Sequence, residues 1–406
     1  MQRRDTTAVR PHLVRVIAFG FLATFMSSFG QTFFVGLFNP HFQTAVGIGG
    51  TRLGMLYGAA TLTSGTLLFW LGGALDGISL YRAIALTLAV FVGGCLLAAV
   101  THTQVELLLA FFLMRLGGQG LMTHLAIVTS ARGGGERKGA TMAWSSMGVI
   151  VGEAVLPACV LAGFGVLPWR WMWLLAAGVL AVGVLPLMLA LARTVPWRPA
   201  ATGPEDTPAF IGRRALLLRQ PAFWAASAIL LAPPFMATGF LFEQSAVAAQ
   251  MGWQAARIGA AFTVFALCRA FGTWIFGRAS DRLGAVAMMR LHLLPMALAF
   301  ASLAVPLGGA SIWSAFAGVG FTSGASSVLG GAVWVELFGL ASVGLVRGVF
   351  TACMVVASAV APAVVAGLLS VDVGAAGIGL GFAAYAAFVP VLATPWLYAD
   401  ARRACA

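Results

Sequence analysis

The sequence predicts an all-α membrane protein with twelve transmembrane helices in two six-helix bundles. Two observations support this fold class: hydrophobic residues make up 60% of the 406 residues, and charged residues make up only 9%. An ordinary soluble domain has about 25% charged residues. So few charges cannot cover a water-soluble surface, which excludes a soluble globular enzyme, and the apolar content excludes intrinsic disorder.

Twelve apolar runs are long enough to cross a bilayer, since a spanning helix needs about 20 apolar residues. The first run, Val16 to Phe38, is too long for the core of a signal peptide. The other runs, which complete the predicted helices 1 to 12, are 53–75, 83–101, 107–130, 140–164, 171–192, 222–247, 257–277, 285–305, 311–335, 345–369 and 375–398.

One long hydrophilic stretch lies between the sixth and seventh runs and has the composition of a linker. The predicted domains are therefore an N-terminal six-helix bundle (residues 1–192), a cytoplasmic linker (193–221) and a C-terminal six-helix bundle (222–406).

The net charge of +12 is distributed as an orientation signal and not as a nucleic-acid patch. Of the 24 basic residues, 19 fall on the side of the N-terminus and three, Arg52, Arg170 and Arg257, on the other side. The positive-inside rule therefore predicts that both termini are cytoplasmic in a multi-pass protein of the cell inner membrane. We expect no nucleic-acid partner, and we expect the chain to work in the bilayer as a monomer.

Metal and nucleotide chemistry find no support in the sequence. The five cysteines form no CxxC pair and no cluster with histidine, so neither a metal site nor a disulfide framework is predicted. A GxxxxGK[ST] loop is absent, which argues against ATP-driven pumping. We therefore expect no cofactor and no enzymatic activity.

The chain repeats itself at an offset of 205 residues. Arg52-Leu53-Gly54 recurs as Arg257-Ile258-Gly259, and Pro157 maps to Pro362. Two six-helix halves in the same orientation, with a site between them near the middle of the membrane, are typical of transporters.

Four short motifs add a family resemblance. The segment GRASDRLG at 277–284, between helices 8 and 9, resembles the signature loop of the major facilitator superfamily. The matching loop between helices 2 and 3 keeps Gly72, Asp76 and Arg82, with Gly77 in place of the usual basic residue. The segments RLGGQG at 115–120 and WRW at 169–171 look like the same superfamily. The resemblance covers the whole chain and implies a secondary transporter that works by alternating access.

The signature segments predict a charge latch between the cytoplasmic ends of the two bundles. An aspartate at a helix end can accept hydrogen bonds from the N-terminus of a neighbouring helix, and arginines beside it can pair across the gap. The predicted gating residues are Asp76, Asp281, Arg278, Arg282 and Glu336. The alternative for each carboxylate is a solvated position at the membrane surface.

Three ionisable residues are predicted near the middle of the membrane: Arg115 on helix 4, Glu153 on helix 5 and Arg269 on helix 8. A charge in the hydrocarbon costs at least about 2.5–3.5 kcal/mol, which makes each of them a functional candidate. Arg269 resembles the carboxylate-binding arginine of the oxalate/formate and monocarboxylate branches, although helix 11 has no basic residue beyond Arg347 at its inner end. The resemblance implies an anionic substrate. The alternative is an internal ion pair of Arg269 with Glu153 or Glu243.

Arg115 and Gln119 are four residues apart, and they are predicted to share a face of helix 4 and to bind substrate. Glu153 on the next helix is the expected partner of Arg115. Burial disfavours its charge and a nearby cation favours it, so Glu153 is predicted to carry a proton in each cycle. A permanent ion pair that only holds helices 4 and 5 together is the alternative.

The remaining candidate residues lie on helices 1, 2 and 7. Glu243, near the outer end of helix 7, is predicted to be a proton-entry or outer-gate residue, with a water-facing carboxylate as the alternative. Gln31 and Tyr57 are predicted to line the substrate cavity, by analogy with the superfamily.

The favoured function is transport of a small organic anion, held by Arg269 and Arg115 and coupled to protons through Glu153. One alternative is efflux of apolar or cationic compounds by proton antiport, in a cavity lined by the abundant phenylalanines and methionines. An alternative from another class is a transporter-fold protein that acts as a sensor or assembly factor without transport.

Overall fold

The computed structural model describes residues 11–193, 195, 197, 217–340 and 342–397, and the predicted linker lies largely outside this range. Helices form nearly all of the described chain, and no strand occurs in it. Eleven of the described helices are long and apolar enough to cross a membrane. The all-α membrane fold is therefore confirmed.

The eleven spans begin and end within a few residues of the predicted runs, with helices 1 and 8 as the main exceptions: helix 1 ends at Gly30 instead of Phe38, and helix 8 at Leu283 instead of Gly277. They are helix 1 (His12–Gly30), helix 2 (Gly50–Asp76), helix 3 (Leu80–Val100), helix 4 (Gln104–Gly133), helix 5 (Lys138–Gly163), helix 6 (Trp169–Ala192), helix 7 (Pro221–Phe242), helix 8 (Ala255–Leu283), helix 10 (Gly308–Phe338), helix 11 (Val343–Ser370) and helix 12 (Gly374–Leu397).

The ninth predicted span is interrupted. It consists of two short α-helices, Ala285–Met288 and Leu294–Ala301, with hydrogen-bonded turns between them. Pro295 lies in the first turn of the second piece, where a residue without an N–H is tolerated, so the helix restarts there. His292, which is fully buried in this turn, hydrogen-bonds through Nδ1 to the carbonyl of Met289 at 3.0 Å.

Three other helices deviate from regular α-geometry. Helix 1 ends in a 3₁₀ turn at Ser28–Gly30, and Gln31 is extended, with φ −83° and ψ 152°. The chain continues beyond it as short helical pieces, the last of which is Asn39–Val46. Helices 4 and 6 each contain a π-helical segment, Arg115–Met122 and Val179–Val184. Such segments often occur at functional sites.

Both signature segments are more helical than predicted. Helix 2 continues to Asp76, and helix 8 continues to Leu283, so most of 277–284 belongs to a helix and not to a loop. The turn comes at Gly284, whose φ of +86° lies in the region that favours glycine.

The contacts divide the described chain into two compact units. The first comprises the described residues within Met1–Phe34, Thr63–Gly152 and Val166–Thr202. The second comprises those within Val35–Leu62, Glu153–Gly165 and Gly203–Ala406, and therefore includes pieces of helices 2 and 5. The predicted bundle boundaries at residues 192 and 222 follow the covalent repeat and stay a prediction.

Within the second unit, two helix pairs repeat the same contacts. A Cβ on Gly54 of helix 2 would lie 2.8 Å from the backbone of Ala363 on helix 11. A Cβ on Gly259 of helix 8 would lie 3.0 Å from the Cα atom of Ala158 on helix 5. Both partners of the second pair are 205 residues from those of the first, so the contacts follow the offset of the sequence repeat.

Helices 8 and 10 approach each other closely in the same unit. Gly272 of helix 8 faces the carbonyl of Phe321, and Gly320 and Gly324 of helix 10 face the carbonyls of Phe265 and Arg269. A side chain at any of these glycines would collide with a backbone oxygen, so the small residues determine the helix separation.

Candidate functional site

A polar cavity of about 370 Å³ lies among helices 7, 8, 10 and 11, entirely within the second unit. Two arginines and four hydroxyl side chains stand among apolar residues and glycines in its wall. The lining residues are Leu230, Pro233, Pro234, Ala237, Arg269, Ser323, Ser326, Ser327, Gly330, Gly331, Arg347, Phe350, Thr351 and Met354. Among the described residues, the lining contains two cationic side chains and no carboxylate.

The close contact of helices 8 and 10 fixes the position of Arg269. Its carbonyl lies against Gly324, and it also accepts a hydrogen bond from Oγ1 of Thr273 at 2.9 Å. The same Oγ1 is 3.3 Å from the carbonyl of Gly324, so one threonine joins the two backbones. The Arg269 side chain is 25% exposed and reaches the cavity from this point.

Arg269 forms an ion pair with Glu153, in which Nη1 donates to Oε1. The Glu153 side chain is only 6% exposed, and its second oxygen is buried without a hydrogen-bond partner among the described residues. The expected pairing of Glu153 with Arg115 is not found; the alternative pairing with Arg269 is. Arg115 and Arg269 were predicted at similar depths in the membrane, so depth alone could not show which of them pairs with Glu153. The pairing depends on the direction in which each side chain points.

Arg347 is the second cation of the cavity. It lies four residues after the start of helix 11, about one helical turn from the end of the helix, and its side chain is exposed. Its position in the sequence predicts the inner end of helix 11 and no contact with a ligand. The structure shows that it lines the same cavity as Arg269.

Three serines form a stripe along helix 10. Ser323, Ser326 and Ser327 follow the i, i+3, i+4 spacing that puts residues on one helix face, and Gly330 and Gly331 continue the stripe by one turn. The pattern of small residues was visible in the sequence and was missed, because glycine and serine in membrane helices are more often assigned to helix packing.

Arg115 belongs to the first unit and is 6% exposed. Its Nη1 donates to Oγ1 of Thr32 at 3.3 Å, one residue beyond the interruption of helix 1. Gln119 is exposed although Arg115 is buried, because the π-helical segment replaces the regular α-spacing on which their shared face was predicted.

Gln31 and Tyr57 occupy different environments. Gln31 lies at the interruption of helix 1, half-buried, with its Nε2 3.5 Å from Oγ of Ser27. Irregular backbone inside a membrane protein is tolerated where it is buried in protein or lines a cavity. Tyr57 is fully buried, and its ring centroid is 4.3 Å from that of Phe242. Substrate binding by both residues stays a prediction.

Glu243 follows the last residue of helix 7 and is 2% exposed. Its Oε1 has no hydrogen-bond partner among the described residues. Its other carboxylate oxygen lies near Gly50, at 3.9 Å from the position of a Cβ there. The burial disagrees with the alternative of a water-facing rim carboxylate; the role in proton entry stays a prediction.

Asp76 pairs with two side chains of helix 4 in the first unit. Its Oδ1 is 3.3 Å from Nε2 of His124, and its Oδ2 is 3.4 Å from Nη2 of Arg132. The Arg132 guanidinium also stacks on Trp197, 4.3 Å from the ring centroid. The aspartate therefore ties the end of helix 2 to helix 4, instead of pairing with the nearby Arg82.

The corresponding segment of the second unit is arranged differently. Asp281 is exposed and has no ion pair to another described residue. Arg278 stacks on Trp274 at 4.2 Å, and Arg282 is exposed.

The N-terminus of the short helix Ala285–Met288 is bound by Glu336. Its Oε2 accepts hydrogen bonds from the backbone N–H groups of residues 285 and 286 at 2.6 and 3.2 Å. Glu336 thus makes the contact with a helix N-terminus that was predicted for Asp281, and the gating roles of Asp76, Asp281, Arg278, Arg282 and Glu336 stay predictions.

The family is shown by comparison of the sequence with protein-family models. The model of the Major Facilitator Superfamily matches residues 20–246, more than half of the chain. The chain belongs to this superfamily. Its fold is that of a secondary transporter in a membrane. No curated protein sequence is significantly similar to the chain.

Solved structures of superfamily transporters share this fold at low sequence identity. A bacterial homologue of the human lysosomal transporter Spinster aligns with a TM-score of 0.70 at 15% identity, covering 97% of this chain and 99% of the other. The nucleoside transporter NupG gives a TM-score of 0.71 at 14% identity, covering 95% and 99%. A POT family transporter in complex with a thioalcohol-conjugated peptide gives 0.71 at 15% identity, covering 94% of each chain.

Proposed function

We propose that this protein carries a small organic anion across the cell inner membrane by alternating access, coupled to protons through Glu153. Both termini are cytoplasmic in this proposal, and one chain is the transporting unit. The observation that supports the substrate class is the charge of the cavity: Arg269 and Arg347 line it, and no carboxylate of the described part of the chain does.

The size of the cavity supports a small substrate. Pockets for drug-sized ligands enclose about 300–1,000 Å³, and this cavity of about 370 Å³ is near the lower limit. A compact acid fits such a volume better than a peptide or a bulky drug does. The Arg269 guanidinium can grip a carboxylate in two places because it is planar and has five donors.

The ion pair of Glu153 and Arg269 supports proton coupling. A substrate carboxylate that binds Arg269 competes with Glu153 for the same guanidinium. A buried charge that loses its partner costs about 3–5 kcal/mol, and protonating an ordinary glutamate at neutral pH costs about 4 kcal/mol. The two free energies are of similar size, so substrate binding can drive Glu153 to take up a proton.

A second candidate function is efflux of an apolar compound. A separate pocket of about 290 Å³ lies between helices 7, 11 and 12 and has a mostly apolar wall. Its lining includes Phe235, Met236, Phe382 and Tyr385. No charged residue occurs among the described residues that line this pocket, so a ligand bound there would not compete with Glu153 for Arg269.

A ligand-stabilisation screen tests the proposed function. Purified protein in lipid nanodiscs is heated with small organic acids, neutral sugars, and apolar or cationic compounds. A ligand at 100 times its Kd stabilises the native state by about 2.7 kcal/mol. We expect stabilisation by acids alone, with its loss in Arg269→Gln and its retention in Arg290→Gln, which replaces an exposed arginine outside the cavity.

Counterflow in proteoliposomes then separates transport from binding alone. We expect the stabilising acids to exchange across the membrane. Stabilisation by apolar cations in place of acids would favour the efflux function, and binding of acids without any exchange would favour a sensor.

A further inference from the structure

Each hydroxyl group of the serine stripe on helix 10 already donates a hydrogen bond to a backbone carbonyl of its own helix. Oγ of Ser323 donates to the carbonyl of Val319, and Oγ of Ser326 donates to the carbonyl of Thr322, each at 2.7 Å. Oγ of Ser327 donates to a carbonyl one turn earlier on its own helix, also at 2.7 Å. A hydroxyl has one proton and two lone pairs, so each of these oxygens can still accept a hydrogen bond from a ligand.

The cavity therefore offers two kinds of polar partner on different helices. Arg269 of helix 8 and Arg347 of helix 11 are permanent cations and hydrogen-bond donors. The serine stripe of helix 10 contributes hydroxyl acceptors. Gly330 and Gly331, one turn further along the helix, line the cavity without side chains. A complementary ligand has two acidic groups for the arginines and hydroxyl donors for the serines.

We propose that the cavity selects a small hydroxylated dicarboxylate, with one carboxylate on Arg269 and the other on Arg347. This inference rests on the proposed transport of an organic anion and names its substrate class. The serine oxygens accept hydrogen bonds from the hydroxyl groups of the ligand.

The charge balance favours two carboxylates over one. With Glu153 protonated, the two guanidinium groups leave the cavity with two positive charges, which a dianion neutralises. A monoanion would leave one guanidinium without a counter-ion. Ser323 and Ser326 are half-buried and Ser327 is exposed, so water can reach their oxygens before a ligand binds. An apolar acid would displace that water without replacing its hydrogen bonds, which lowers affinity.

A matched series of linear four-carbon compounds tests the two requirements separately. Tartrate has two carboxylates and two hydroxyls, and succinate has the two carboxylates without the hydroxyls. Threonate keeps the two hydroxyls but has a hydroxymethyl group in place of one carboxylate, and threitol has hydroxymethyl groups in place of both carboxylates. Affinities are measured by calorimetry on the full chain in nanodiscs. We expect tartrate to bind most tightly, succinate about threefold more weakly, threonate at least about tenfold more weakly, and threitol not measurably.

Two variants locate the requirements in the cavity. Arg347→Gln should weaken tartrate at least about tenfold and change threonate by less than about twofold, so that the preference for the diacid is lost. Arg290→Gln is the matched control. Ser326→Ala should reduce the preference for tartrate over succinate, and Ser370→Ala, which removes an exposed serine at the far end of helix 11, should preserve it.

The outcomes separate this inference from the proposed function. Equal affinities for threonate and tartrate, or an equal loss of both in Arg347→Gln, would overturn the dicarboxylate class and leave anion transport standing. The comparison of the four compounds on the unmodified protein does not depend on the folding of any variant. If no acid binds and apolar compounds do, the proposed function itself fails.

Discussion

Arg269 contacts helix 10, the candidate proton carrier and the candidate substrate cavity. Its carbonyl contacts helix 10, its guanidinium binds Glu153, and its side chain lines the polar cavity. One residue therefore links helix packing, the candidate proton carrier and the candidate substrate site. This is the physical basis for expecting substrate and proton binding to affect each other.

Replacing Arg269 with lysine tests the carboxylate contact. Arg269→Lys keeps the charge but loses the planar fork, so we expect the affinity for an acid that binds the wild type to fall at least about tenfold, or about 1.4 kcal/mol. Calorimetric titration measures the change, and Arg290→Lys serves as the control. An unchanged affinity would assign Arg269 to a structural role.

The sequence predicted which residues enter the membrane, but not all of their partners. Arg115, Glu153 and Arg269 were selected correctly as buried or half-buried groups, because charges in long apolar runs stand out. Their pairing depends on the direction in which each helix presents its side chains, and hydropathy does not report that direction. Arg347 was missed because its position in the sequence suggested only the membrane surface.

At the scale of helices, glycine contacts determine where the cavity residues lie. Gly320 and Gly324 bring helix 10 against the backbone of helix 8, and Gly324 lies directly on the carbonyl of Arg269. The serine stripe lies beside this contact, since Ser323 and Ser327 follow the two glycines by three residues, and it lines the cavity. The separation of these two helices therefore controls the distance between the serine oxygens and the arginine.

Gly324→Val tests this control. The added side chain would collide with the carbonyl of Arg269 and push helices 8 and 10 apart, at a cost of about 1–3 kcal/mol for overpacking. We expect a lower melting temperature and a loss of acid binding. In Gly183→Val the new side chain enters open space, so both quantities should stay near those of the wild type. Normal acid binding by Gly324→Val would show that the helix contact does not position the site.

Hydropathy predicted the helices well because each span needs a similar length of apolar chain. It failed for helix 9, where Met289–Leu293 forms turns. The turns around His292 hydrogen-bond within themselves, and an apolar run reveals nothing about such a break. The signature segment at 277–284 was assigned to a loop because of its charges, yet a helix can extend beyond the membrane with charged residues on its surface.

At the scale of the molecule, the sequence repeat predicts that substitutions at the repeat-related glycines Gly54 and Gly259 have the same effect. Gly54 and Gly259 lie near the first residues of their helices, and Ala363 and Ala158 lie near the last residues of theirs. The predicted order of the spans puts all four positions on the side of the membrane opposite the N-terminus. If alternating access separates these helix pairs, both contacts must form when this end closes and break when it opens.

Cysteine labelling tests the paired effects. A single cysteine at position 363, in a background without the native cysteines, is covered by Gly54 when the contact forms. Gly54→Val and Gly259→Val should both increase its rate of reaction with a water-soluble maleimide, because each prevents one of the two contacts. Gly183→Val should leave the rate unchanged. An increase in neither glycine variant would contradict closure through these contacts.

The most direct test of proton-coupled anion transport is uptake of a bound acid into proteoliposomes, with and without an imposed pH gradient. The wild type should accumulate the acid only with the gradient. Glu153→Gln should lose this accumulation and keep exchange down the gradient of the acid itself, because the side chain is permanently neutral. If Glu153→Gln still accumulates the acid when the pH gradient is imposed, Glu153 is not the proton carrier, and coupling through this carboxylate is contradicted.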